Sequence, residues 1–503
     1  MSNRRVRHAS TAGGSYRLLT PHDLNRIHQA TLEVLAKTGV WVEDAEARRV
    51  FASGGADVDK ATGIVRLPRD LVEQALRCAP KGFVICGRDP AKDFAFDQAR
   101  VGFATYGEGL RVRDVRTGAR KTPTLADFRN SVRLADALSD VDVYEKVLLP
   151  FDVPVESAPL YQGYTLMGNT TKPGFMGPRS GFLARRLVEM ASLVVGGPER
   201  LRQRPIVSFI ACPVSPLKLL SNCCQVIRES ALAGLPVNII AMGMAGGSSP
   251  VTLAGTLVTH NAEVLSCVTL CELTRQGAPV IYGSSTTAMD LRSAVASLGS
   301  PECGLISAAV AQLARFYLLP SWVAGGLGDA KTVDVQAGHE KTITALLPAL
   351  AGANLIYGLG MIESGTTFDF GQLVVDDELA RMIKFTLGGI PVNDETLAVD
   401  VIADVGSFND FLGHEHTLRH MREQSASSLL DRRVYEEWEA SGSTSLYERA
   451  CEKALHILET HCPEPLPESV VADMQAIIAD AEEELGVNVT AGRVARAGMI
   501  ATT

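Results

Sequence analysis

Small residues and hydroxyls recur in four short stretches between Ala241 and Asp369. They are Gly243-Met244-Ala245-Gly246-Gly247-Ser248-Ser249, Gly283-Ser284-Ser285-Thr286-Thr287, Gly325-Gly326-Leu327-Gly328-Asp329-Ala330 and Gly358-Leu359-Gly360-Met361-Ile362-Glu363-Ser364-Gly365. No GxxxxGK[ST] occurs and the Gly325 stretch lacks G-x-G-x-x-G spacing, which speaks against a phosphate cradle. Gly283-Ser284-Ser285 lacks the G-x-S-x-G elbow, and no histidine is identifiably placed to activate a serine nucleophile. Glycine in any one stretch reads equally well as turn punctuation, but four together leave an open, shallow funnel that a large flat cofactor could approach. Gly283, Ser284, Ser285, Gly325, Gly326, Gly328, Gly358 and Gly360 are the candidate cofactor-facing positions. Lys331, beside Asp329 and Asp334, offers a competing chemistry, the Schiff-base amine of a barrel lyase or aldolase. His414, His416 and His420 would meet at a metal only if the run spanned a helix start; a capped helix is the simpler reading, and no protein-bound metal is expected.

These stretches need elements to hold them. From residue 141 onward, apolar runs of five to eight residues alternate with helical patterns, the sequence form of repeated βα units and a parallel sheet buried on both faces. Candidate strands fall at 143–149, 174–176, 206–211, 237–242, 280–283, 321–324 and 354–359, with an eighth not visible. The fold class is α/β, a (β/α)8 TIM-type barrel, whose active site lies in the loops after the strands. Residues 1–140 change period often and read as an amino-terminal α+β extension, residues 141–425 as the barrel, and residues 426–503 as a carboxyl-terminal helical appendage. In the extension, a helix at 21–37 capped by Thr20 and strand character at 83–85, 101–105 and 110–115 stand out.

With 503 residues, 46% hydrophobic and 21% charged, the chain has material for a large core. Its net charge of -9, with Lys and Arg scattered, gives no electrostatic footprint for nucleic acid. No apolar run reaches the ~20 residues of a membrane span. Residues 1–10 read as a frayed tail rather than a signal peptide. Ten cysteines, mostly in apolar segments, fit reduced thiols in a cytoplasm.

Several of these stretches, in order, carry a resemblance: Gly283 through Asp290, Gly325 through Lys331 with Asp334-Val335-Gln336-Ala337-Gly338, Gly360 through Gly365, and Phe411-Leu412-Gly413-His414-Glu415-His416-Thr417. Together with Asp114-Val115-Arg116-Thr117-Gly118 and Leu134-Ala135-Asp136-Ala137-Leu138, they make the chain resemble the trimethylamine methyltransferase family over nearly its whole length. The resemblance implies a barrel enzyme that moves a methyl group from an amine to the cobalt of a corrinoid, carried on a small separate corrinoid-binding protein. Trimethylamine-specific members carry pyrrolysine, which this sequence lacks. Members without it are associated with quaternary amines such as glycine betaine, proline betaine and carnitine. A tetraalkylammonium ion calls for aromatic faces and a nearby carboxylate. Tyr106, Phe175, Phe209, Tyr282, Trp322, Tyr357 and Phe368 are the candidate cage, with Glu263, Asp329 or Glu363 as anionic partner and Arg179 or His339 as donors to a betaine carboxylate. A non-catalytic betaine or corrinoid binder is the remaining alternative, and barrels of this size commonly form homo-oligomers.

Overall fold

The computed structural model describes residues 13–14, 16–97 and 100–487, so the tail at residues 1–10 lies outside the described residues. Eight parallel strands alternate with eight helices from residue 102 onward. Strand β1 (Gly102–Thr105) leads to α1 (Leu125–Ala137), β2 (Tyr144–Glu145) to α2 (Ala158–Asn169), β3 (Gly174–Met176) to α3 (Gly181–Val195) and β4 (Val207–Ala211) to α4 (Ser221–Ala233). Then β5 (Val237–Ala241) leads to α5 (Leu253–Thr274), β6 (Val280–Ser284) to α6 (Pro301–Phe316), β7 (Ser321–Ala324) to α7 (Val335–Ala351) and β8 (Leu355–Leu359) to α8 (Phe370–Leu387). Each strand from β2 to β8 pairs with its successor, and β8 returns to β1 through Leu355↔Gly102 and Tyr357↔Ala104. A bridge between Ala104 and Val143 makes the remaining seam, so the sheet closes on itself as a (β/α)8 barrel.

The seven strands legible in the sequence stand where their apolar runs place them, because a strand covered by helices outside and side chains inside is apolar throughout. The eighth is β1, which lies within residues 1–140, the segment expected as extension. It is four residues long and is followed by Arg111–Arg113 and Arg120–Lys121, an antiparallel pair, so its surroundings read as a meander rather than as a βα unit.

The extension is fused to the barrel through α5. This helix is buried almost all round from Thr256 to Glu272, the mark of a helix covered on both sides. The helices Pro21–Lys37 and Arg69–Cys78 pack on its outer side. The first begins at Thr20, whose hydroxyl and Asp23 form a capping box. A strand of the extension, Val40–Val42, also pairs with Lys218–Leu219 in the loop after β4.

The last barrel helix ends at Leu387, well before residue 425. Residues 388–433 form an arm of short helices, Asp394–Leu397, Val399–Val405 and Glu415–His420. In the carboxyl-terminal appendage, the helices Tyr435–Ala440 and Leu446–Thr460 are parted at Gly442, where φ is 103°. Leu446–Thr460 packs on α8 and α1, and Glu468–Glu484 packs on α3 and α2. Polar contacts lock them down: His461 meets Asp136 at 2.8 Å, and the buried Glu482 accepts from Ser157 at 3.0 Å and Tyr161 at 2.8 Å. No described helix is long and apolar enough to cross a membrane.

Candidate active site

The barrel interior gathers aromatic rings around one buried carboxyl group. Phe175 on β3 and Trp322 on β7 come from opposite sides of the ring, yet their centroids lie 4.3 Å apart, so both rings point inward. Trp322 neighbours Tyr357 on β8 at 5.7 Å, and Tyr357 stacks on Tyr106, just past β1, at 5.6 Å with planes 2° apart. Glu145 pairs in register with Phe175 and therefore shares its inward face. Its side chain is buried, and Oε2 has no hydrogen-bond partner among the described residues. Burial pushes the Glu145 carboxyl well above the usual carboxylate range, and its charge in turn adds to the burial that lifts the phenols of Tyr106 and Tyr357. Trp322 Nε1, Ser208 Oγ and both side-chain polar atoms of Asn238 are likewise buried without partners among the described residues. Each such atom costs ~1–3 kcal/mol when left unpaired, so these inward groups are the ones open to a polar ligand or ordered water.

Outward of Glu145 the charges are paired. Lys146 Nζ meets Glu108 Oε2 at 3.0 Å, and Arg179 lies 3.9 Å from the other Glu108 oxygen. Burial is the largest influence on the Glu108 carboxyl and works against its charge, but Lys146, Arg179 and Gln162 together outweigh it and hold the group below its ordinary pKa. Cys212 and Met242, following β4 and β5, are exposed at the mouth. Glu145, Lys146 and Glu108 were not among the residues singled out from the sequence. The signal for two of them was a Glu-Lys pair interrupting the apolar run 143–149 at the end of a strand, where barrel chemistry sits.

The cage drawn from sequence divides. Tyr106, Phe175, Trp322 and Tyr357 converge; Phe209 and Tyr282 do not. Ser208 pairs with the inward Phe175, so strand alternation turns Phe209 outward, and the Tyr282 hydroxyl donates to Asn261 on α5 at 2.7 Å. Phe368 packs beside Phe370, centroids 5.0 Å apart, in the hairpin after β8.

The three proposed anions are loop anchors rather than cage walls. Asp329 accepts from Leu298 N at 2.9 Å and Ser364 Oγ at 2.8 Å, and Glu363 pairs with Arg120 at 3.0 Å. Glu263, on α5, accepts from Ser215 Oγ at 2.8 Å and Leu217 N at 2.9 Å and so holds the loop after β4. Burial lifts its carboxyl to about 7. Its unfolded value is about 4.3, so between these values the folded state holds the extra proton and stability falls as pH rises. Glu263→Gln should remove that slope. Urea unfolding at pH 5 and pH 8 should show the variant gaining on the wild type by up to about 3 kcal/mol at the higher pH; an equal difference at both pH values would contradict this.

The glycines also change meaning. A Cβ on Gly283 would lie 2.3 Å from Asn238 Oδ1, and one on Gly358 would lie 2.1 Å from the Gly325 carbonyl oxygen. Gly325, Gly326, Gly328 and Gly360 face protein neighbours in the same way, and Ser285 bonds the Tyr357 hydroxyl while Ser284 receives the Thr286 amide at 3.1 Å. They serve close packing of strands, helices and loops, not clearance for a cofactor. What holds the last two loops is a buried ion pair: Lys341 on α7 meets Asp376 on α8 at 3.0 Å. Lys341 also donates to the carbonyls of Gly326 at 2.5 Å and Met361 at 2.8 Å, while Asp376 accepts from Gly360 N at 2.7 Å.

The remaining candidates sit outside the barrel interior. Arg179 stands at the rim; His339 is exposed and lines a separate cleft with Ser300 and Glu340. Lys331 is exposed and donates to the carbonyl of Asp329 at 2.7 Å. His414 accepts from His416 N at 3.0 Å as a helix cap, and His420 pairs with Glu423 at 2.8 Å.

Known proteins resemble this chain over nearly its whole length. The family model for Trimethylamine methyltransferase (MTTB) matches residues 2–486. A trimethylamine methyltransferase MttB of Desulfitobacterium hafniense (strain DSM 10664 / DCB-2) is 48% identical over 465 residues, covering 92% of this chain and 94% of that protein. A glycine betaine methyltransferase of Desulfitobacterium hafniense (strain Y51) is 34% identical over 475 residues, covering 94% and 98%. The crystal structure of the Methanosarcina barkeri monomethylamine methyltransferase superposes with a TM-score of 0.47 at 14% identity, covering 89% of this chain and 96% of that one. With a family model spanning nearly all of it and relatives matched almost end to end, the chain belongs to the trimethylamine methyltransferase family and is a methyltransferase.

Proposed function

We propose that this enzyme takes a methyl group from a quaternary amine of the betaine class and passes it to a corrinoid presented by a small separate protein. The observation that carries the reading is Glu145: a buried carboxyl with an unpartnered oxygen, on the same inward face as Phe175 and acting on Tyr106 and Tyr357. A quaternary ammonium has no N–H to donate, so it is recognised by ring faces and a counter-charge, the two things this interior offers. The glycine betaine methyltransferase relative supports a donor of that class.

The carbon–nitrogen bond breaks with its electron pair going to nitrogen, which leaves as a neutral tertiary amine needing no proton from the protein. A corrinoid presented at the mouth would supply the nucleophile that takes the methyl group. Positive charge leaves the nitrogen in the transition state, so a counter-ion that gripped it throughout would hold back transfer. Glu145 ionises only against the opposition of its surroundings, which weakens that grip. The rings then act chiefly by orienting the methyl carbon toward the mouth. At the rim we assign Arg179 to a betaine carboxylate: it is exposed and lies 3.9 Å from Glu108, a looser contact than the 3.0 Å pair of Lys146 with Glu108. Loops around the mouth expose Leu110, Phe151, Met242, Val251, Leu291 and Val295, an apolar rim that suits a broad corrinoid and its carrier.

The test is methyl transfer itself. The protein, reduced cobalamin and glycine betaine, carnitine or trimethylamine should give the visible spectrum of a methylated corrinoid with a quaternary amine and not with trimethylamine. Transfer from trimethylamine alone, or from none of the three, would overturn the reading.

A further inference from the structure

Asn238 is fully buried, yet neither polar atom of its side-chain amide has a hydrogen-bond partner among the described residues. Its direction follows from the sheet register. Asn238 on β5 pairs with Ile210, two residues along β4 from the Ser208 that pairs with the inward Phe175, so alternation turns Asn238 inward as well. Gly283 on β6 lies two residues past Ile281, the partner of Asn238, and itself pairs with the inward Trp322. Side chains inside such a barrel stack in layers drawn from alternate strands. The registers put Phe175, Asn238 and Trp322 in one layer and Glu145, Gly283 and Tyr357 in the next toward the mouth. A Cβ on Gly283 would lie 2.3 Å from Asn238 Oδ1, so the amide fills the gap that glycine leaves and reaches the level of Glu145. Trp322 Nε1, in the layer of Asn238, is buried without a partner too. An apolar residue of similar size would fill the same space without leaving two polar atoms unpaired, so the amide points to a partner outside the fold.

We infer that Asn238, with Trp322 Nε1, determines specificity by binding a hydroxyl group two carbons from the quaternary nitrogen of the methyl donor. The inference rests on the assignment of this interior to a quaternary amine. Asn238 and Trp322 are neutral, and the carboxyl of Glu145 stands in the adjoining layer, so a carboxylate arm sent to the same place would meet like charge and no cation. A hydroxyl both gives and takes a hydrogen bond. It can accept from Asn238 Nδ2 or Trp322 Nε1 and donate to Asn238 Oδ1, which uses the amide as donor and acceptor at once. The two layers are in contact, so with the nitrogen against Glu145 the arm that reaches Asn238 is short, and a carboxylate farther along the chain stays free for Arg179.

Two matched pairs of ligands test this by calorimetric titration of the full-length protein, with no corrinoid present: carnitine against the same molecule without its hydroxyl, and choline against ethyltrimethylammonium. The hydroxylated member of each pair is expected to bind at least about 100-fold more tightly, because a site built around a hydroxyl leaves its own polar groups unpaired when the hydroxyl is missing. In Asn238→Ala, which adds no bulk beside Gly283, both ratios should fall toward one. The wild-type ratios stand on their own should the variant fold poorly. Equal affinities within both pairs in the wild type, or ratios that survive in a folded Asn238→Ala, would overturn the inference. Methyl transfer is read separately: a hydroxyl preference in binding without transfer from any quaternary amine supports the role of Asn238 and removes the donor assignment, whereas transfer with equal binding of both members of each pair does the reverse.

Discussion

Glu145→Gln is expected to raise KM for the quaternary amine by roughly 100-fold at alkaline pH, with kcat unchanged or somewhat raised because the counter-ion's hold weakens in the transition state, since removing one partner from a buried charge pair typically costs ~2–5 kcal/mol of binding. The pH dependence gives the result its edge. In the free enzyme burial holds Glu145 protonated above the ordinary carboxylate range, and only the ionised form is a counter-ion. Wild-type kcat/KM should therefore climb with pH until the raised pKa of Glu145 is passed. The variant, which has nothing to ionise there, should lack that climb. At low pH the two enzymes should converge, because the wild type is then a neutral acid where the variant is a neutral amide. Stability separates this from a packing effect: exchanging one buried neutral group for another of the same shape should leave the melting temperature nearly unchanged. A glutamine variant that loses kcat at every pH, with unaltered KM, would remove Glu145 from the role of counter-ion.

Breaking the Lys341–Asp376 pair should be the most destabilising single change in the barrel's upper half. Lys341→Met leaves a buried aspartate without its cation and releases the carbonyls of Gly326 and Met361; Asp376→Leu strands the ammonium. Each should lower unfolding free energy by about 3–5 kcal/mol in urea titrations. The double variant Lys341→Met/Asp376→Leu removes both charges and should lose less than the two singles added together. Additive losses would show that the pair is not coupled. Methyl transfer should suffer in the singles as well, because Tyr357 lies on β8, directly before the loop these residues hold.

Much of the barrel was legible because its strands are short, wholly apolar and spaced by amphipathic helices. The runs at 174–176 and 321–324 coincide with β3 and β7. Strand β1 was harder, since a four-residue strand followed by a hairpin carries the local pattern of a meander. For the cage, position at a strand end was readable but direction was not. Phe175 and Phe209 look alike in sequence, and one pairing register turns the first inward and the second toward the helices. Glu145 escaped notice because an acidic residue inside an apolar run looks like an interruption, and its meaning depends on which face of β2 it occupies. The glycines at 283 and 358 misled in the opposite direction. Their missing side chains suggested room for a visitor, whereas the room is filled by Asn238 and by the backbone of the neighbouring loop.

The seam between β8 and β1 bears on how this molecule comes into being. Gly102 finds its partner only at Leu355, so the ring stays open while most of the chain emerges from the ribosome. Until then β1 has an unpaired edge on that side, a ready template for the wrong neighbour. Pairings between such distant residues are slow to form, because the entropy of closing a long loop must be spent before any contact rewards it. The amino-terminal helices that pack on α5, in the middle of the barrel, are then well placed to gather a half-made ring and keep its first strand in waiting for its last.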